Sequence, residues 1–152
     1  MVDLEYFKKA IEESDIDLIR SGVITEINYR RHHNFDETLK LVLKVEVLLE
    51  KKGLKLFEEE DNNFQFVDIK EVEKYISENV EDLWTSVKVE IMYNFSKKKY
   101  KYLFSLMRML RGKGHPDFIP EKNENNKFIE KSLFEKIIEY LKKLLKLGDK
   151  YD

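Results

Sequence analysis

ETLKLVLKVEVLLE, residues 37–50, decides the fold expected of this chain. Leu39, Leu41, Leu43, Val45, Val47 and Leu49 stand at alternate positions, with Lys40, Lys44, Glu46 and Glu50 at most of the places between them. Side chains in a strand point to opposite faces in turn, so six matches at period two predict a strand buried on one side. A helix would spread those six residues around its circumference.

The same alternation recurs elsewhere. Val23, Thr25, Ile27 and Tyr29 share one face of GVITEINYRR, and Val87, Val89, Ile91, Tyr93 and Phe95 share another. Tyr100, Tyr102, Phe104 and Leu106 line a return strand after Ser96–Lys99. RHHNFD at 31–36 and Lys51-Lys52-Gly53 read as turns, with LKLFEEE at 54–60 extended after the second.

Helical signals lie between these ribbons. Asp3 can cap a short helix bearing Leu4, Phe7 and Ile11; Ser14–Asp17 starts another that Gly22 closes. Asp68-Ile69-Lys70-Glu71 is a capping box leading Ile69, Val72, Ile76, Val80 and Leu83 along one face to Trp84. Ser132–Glu135 opens a last helix that turns Leu133, Ile137, Ile138, Leu141, Leu144 and Leu145 inward and stops at Gly148. The expected fold is α+β: a single domain over 1–152, with an antiparallel sheet of four to five strands in two hairpins. Its helices pack on one face in the order α-ββ(β)-α-ββ-α. Residues 111–127, RGKGHPDFIPEKNENNK, hold both prolines and two of the five glycines and read as one long loop.

At 152 residues the chain can bury about two thirds of its unfolded surface. With 38% charged residues and a net charge of −2, no overall attraction to nucleic acid or membrane follows. The lack of cysteine excludes disulfides, thiol catalysis and cysteine-ligated metals. No run reaches the ~18 apolar residues of a membrane span, and the acid-rich start has no signal-peptide core, so a soluble, cytoplasmic protein is expected.

Charge is unevenly placed. Residues 57–82 hold ten acids against two lysines; residues 91–116 hold seven cations and no acid. The candidate binding surface is therefore Lys97, Lys98, Lys99, Lys101, Arg108, Arg111 and Lys113, with Tyr100, Tyr102 and His115, around the tip of the second hairpin. Lysines there could neutralise phosphates, and exposed tyrosines could stack on bases. Lysine at a turn or sheet edge is also an ordinary guard against aggregation.

Arg30-Arg31-His32-His33 and His115-Pro116-Asp117 offer histidines for acid–base chemistry, or for a metal with Asp36 or Glu37. Adjacent histidines point in different directions and no HxxxH or HExxH spacing occurs, so solvated turns are the preferred reading. RGKGHPD lacks the GxxxxGK[ST] spacing of a phosphate loop. No catalytic residue, metal or cofactor is assigned. Three classes follow in order: a non-enzymatic binding protein of inhibitor, immunity or adaptor type that docks a protein partner through a charge-polarised surface; a nucleic-acid binder using 97–113; and a small hydrolase using His115 or His32/His33. No membrane partner is expected, and the leucines at 144, 145 and 147 would suit a homodimer.

Overall fold

In the computed structural model residues 37–50 are helical, and the sheet they were to anchor is not there. The structure describes Lys9, residues 11–120, Lys136 and residues 138–143. Among these, five helices run from end to end: α1 (Ile16–Tyr29), α2 (Phe35–Lys51), α3 (Ile69–Val72), α4 (Ser77–Tyr93) and α5 (Lys97–Gly112). Residues 138–143 are also helical. The described residues form no strand, only an isolated parallel bridge between Glu58 and Ser96. The α+β class and the antiparallel sheet of two hairpins are thus overturned; the chain is mostly helical.

The reason lies in apolar density. Eight of the eleven residues 39–49 are apolar, enough to satisfy a period of two and a period of 3.6 together. The positions where the two periods disagree decide between them. Val42 and Leu48 are buried, while Leu43 is 57% exposed and Val47 44%, the reverse of the strand pattern. Thr38, Val42, Val45 and Leu49 repeat at four, three and four, one stripe of a helix. Leu, Lys and Glu all favour that conformation, and Asp36 and Glu37 suit its first turn. Gly53, expected in a tight hairpin, instead ends α2: its φ of +76° lets the Leu54 N–H reach back 2.9 Å to the Leu49 carbonyl.

Similar substitutions of period occur elsewhere. α1 starts within the expected Ser14–Asp17 stretch, with Asp15 as its cap, the carboxylate accepting the Leu18 N–H, but the helix continues past a buried Gly22 through the supposed strand to Tyr29. Asp68 caps α3, which stops at Val72; α4 then runs to Tyr93, burying Val80, Trp84, Val87 and Ile91 at four, three and four. The supposed return strand is α5, in which Leu103 and Met107 are as buried as Tyr102 and Leu106. Its helix takes in Arg111 and Gly112, so those two leave the expected loop; residues 121–127 of that loop, and the leucines at 144, 145 and 147, lie outside the described residues.

Two compact units result, one from Met1–Arg30, Asp36–Leu56 and Asn123–Asp152, the other from Arg31–Phe35 and Phe57–Lys122. In the first, α1 buries Ile19, Val23 and Ile27, and Arg20 donates from Nε to the Leu56 carbonyl at 2.8 Å, tying the end of that segment to the helix. Ile138 and Leu141 are buried, as the spacing of the last helix anticipates. In the second, α4 and α5 pack together across the short connection Asn94–Ser96. Phe35, Trp84, Phe104 and Phe118 are buried there. No helix of the described residues is long and apolar enough to cross a membrane.

Candidate functional site

The second unit carries the ten residues of the expected binding surface. α5 starts where Ser96 caps it, the Ser96 hydroxyl accepting the Lys99 N–H at 3.1 Å. From there the helical period sorts the basic run. Tyr100, Leu103, Phe104, Met107 and Leu110 face inward; Lys97, Lys98, Lys101 and Arg108 are exposed, with Ser105 half-buried among them. At a rise of about 1.5 Å per residue the four cations span about 16 Å of one helix face. No acid lies in α5 to offset them.

The other members serve the interior. Lys99 is fully buried, with Nζ 3.0 Å from Glu60, 3.1 Å from Asp61 and 2.7 Å from the Asn94 side-chain oxygen. Ser96 Oγ also donates to Glu60 at 2.6 Å, and Asn94 holds the passing chain through the Asp61 N–H and the Glu59 carbonyl. Burial raises the Glu60 pKa, but the Ser96 and Lys99 hydrogen bonds outweigh it and the net shift is downward. Asp61 is held low first by the Asn63 backbone N–H and then by Lys99. The acidic stretch and the lysine stretch are therefore partly self-neutralised, which removes Lys99 from any outward surface.

Tyr100 packs on Phe104 and Phe57 in the core, and Tyr102 is buried with its hydroxyl donating 2.7 Å to the Val67 carbonyl. Burial raises the Tyr102 pKa, which keeps that proton in place. Arg111 stacks 3.7 Å over Phe35 and donates to the carbonyls of Phe118, Arg31 and His33. Lys113 donates to the Glu73 carbonyl.

His115 is placed by the end of α5. Gly114, at φ +78°, lets the His115 N–H bond the Leu110 carbonyl at 2.9 Å, the same glycine cap that ends α2. The ring then meets Glu81 at 2.7 Å through Nε2 and packs edge-on against Phe118. Glu81 is the acid that sequence spacing does not pair with His115, because 34 residues separate them. Oxygen and nitrogen atoms of Glu81, His115 and Asp117 lie within 4.8 Å of one another, close enough for a divalent ion. The hydrogen bonds oppose that use. The Asp117 N–H donates to Nδ1 at 3.1 Å, so the proton sits on Nε2 and is given to Glu81, leaving neither ring lone pair free. Lys88, whose pKa is lowered by burial and then by Arg31, adds positive charge close to Glu81. The cluster is a carboxylate–imidazole clasp within the unit. His32, His33, Asp36 and Glu37 form no metal-ligating group among the described residues.

A groove lies beside the exposed face of α5. Phe66, Val67, Asp68 and Ile69 form one wall; Lys98, Lys101, Tyr102 and Ser105 form the other, around an open depression of about 520 Å³. The Tyr102–Val67 bond and the edge-on packing of Phe64 and Phe66 on Tyr102 fix the first wall to the helix. Lys98 holds its ammonium 4.3 Å above the Phe66 ring at the rim. Sequence reading missed this wall. No protein-family model, curated protein or solved structure matches the chain, so the site stands on its geometry alone.

Proposed function

We propose that the protein is a non-enzymatic binding module that docks an acidic protein partner through the exposed basic face of α5. The observation that carries this is the helix's sorting of its cations: Lys97, Lys98, Lys101 and Arg108 stand exposed on one face with no acid in the helix, while Lys99 is neutralised inside. Cations arrayed on a rigid helix steer and orient a partner of opposite sign. Two features favour a protein over nucleic acid. Tyr100 and Tyr102, the rings suited to stacking on bases, are interior. The same unit also leaves Val89, Met92 and an 80%-exposed Tyr93 on α4, apolar surface of a kind that protein partners cover. A hydrolase based on His115 is less well supported, because both of its ring nitrogens are engaged.

The test is retrieval from extracts of the source cells with the wild type and with Lys98→Glu/Lys101→Glu/Arg108→Glu, each with and without nuclease. The reading expects a stoichiometric acidic protein retained by the wild type, unaffected by nuclease, lost from the variant and released by raised salt. Identical retention by the two proteins, or loss of the retained material on nuclease treatment, overturns it.

A further inference from the structure

Resting on that docking reading, we infer that the groove between Phe66–Ile69 and α5 receives a short acidic segment of the partner, one apolar side chain laid against the packed Phe66 and Tyr102 rings and its carboxylates on Lys98 and Lys101. The two halves of this ligand answer two properties of the same cleft. Phe66, Val67, Ile69 and Tyr102 give it an apolar lining, and its roughly 520 Å³ lie open to solvent along one side, as an extended segment lying across it requires. Its α5 rim is cationic. Lys98 rests over Phe66, so its ammonium is held at the mouth, where a carboxylate meets it without ordering a free side chain. Lys101 stands one helical turn further on.

Asp68 gives the groove direction. Its carboxylate accepts the Lys70 N–H at 2.8 Å as the cap of α3, which holds it in place among the residues lining the cleft. An acidic ligand is repelled there and drawn toward Lys98 and Lys101. Ser105 lies on the rim with its hydroxyl turned back to the Lys101 carbonyl at 3.2 Å, which leaves it a neutral place for a plug.

Fluorescence anisotropy tests this with four labelled probes: a glutamate-rich peptide with one central leucine, the all-glutamate peptide of equal charge, a glutamine version of the leucine peptide, and a single-stranded oligonucleotide of equal charge. The proteins are wild type, Lys98→Glu/Lys101→Glu, and Ser105→Phe, which fills the groove and leaves every charge in place; circular dichroism checks that each is folded. Burying one leucine is expected to make the leucine peptide bind roughly tenfold to a hundredfold tighter than the all-glutamate one. Ser105→Phe removes that advantage, the charge reversal removes both affinities, and the glutamine version binds least. Equal affinity for the two acidic peptides, with Ser105→Phe silent but charge reversal still effective, overturns the groove while leaving the basic face standing. An oligonucleotide that outcompetes both acidic peptides, or no peptide binding at all, overturns the docking reading as well.

Discussion

Lys99→Met removes an ammonium and keeps most of the aliphatic stem, so it isolates the charge from the packing. The wild-type ammonium is fully buried and lies within hydrogen-bond distance of Glu60, Asp61 and Asn94. Removing one member of a buried ion pair costs about 3–5 kcal/mol, because the remaining charge is left without its counterion. Here the acids keep some access to water, with side-chain exposures of 15% for Glu60 and 33% for Asp61, which places the loss near the lower end, about 3 kcal/mol. Urea melts of both proteins at pH 7 measure it. The pH dependence supplies a second readout. Glu60 and Asp61 have lowered pKa values when folded, so their stabilisation is complete above the unfolded carboxylate pKa of about 4 and fades as pH falls through the lower folded values. Part of that lowering comes from Lys99, and the gap between wild type and variant must therefore narrow in acid. A loss below about 1 kcal/mol at pH 7, the worth of an exposed pair, with no narrowing at low pH, would refute the reasoning.

Three other outcomes follow from the same structure. Leu43→Lys should leave thermal stability within about 0.5 kcal/mol, whereas Val42→Asp should unfold the protein, since the helix exposes the first position and buries the second. Gly53→Ala and Gly114→Ala should each cost about 1–2 kcal/mol in denaturant melts, wholly from the left-handed backbone, because an added Cβ meets nothing within 4 Å at either site. Tyr102→Phe loses the bond to the Val67 carbonyl and should cost about 1 kcal/mol, with faster amide exchange over residues 64–68 as the direct sign that the groove wall has loosened.

What could be read from the sequence were the local signals with a single geometric meaning. Asp68 caps a helix where its spacing places it, a helix begins within Ser14–Asp17, and Ile138 and Leu141 are buried as their period requires. Alternation misled where apolar residues were dense. Strict alternation puts Val42, Leu48, Leu103 and Met107 on the other side of their strands, and only the helical packing shows that they belong inside. Gly53 was rightly read as a chain reversal, but a glycine at positive φ closes a helix as readily as a hairpin, and Gly114 does the same at the end of α5. The candidate site was half legible. The charge run was plain, yet which of its members face outward depends on 3.6 residues per turn, and Lys99, Tyr100 and Tyr102 move inside under that count. Pairings over long separations, Glu60 with Lys99 and Glu81 with His115, have no signature in spacing.

Three successive lysines begin α5, at the positive pole of its peptide dipoles, where basic side chains ordinarily cause fraying. The chain at 58–61 supplies the missing anions from elsewhere: Glu58 pairs with the backbone at Phe95, and Glu60 and Asp61 clamp Lys99. The onset of this helix is therefore conditional on a neighbouring segment staying seated. Whatever unseats it, protonation of the two carboxylates included, unwinds the opening turn and disperses Lys97 and Lys98, so that recognition and local folding fail together.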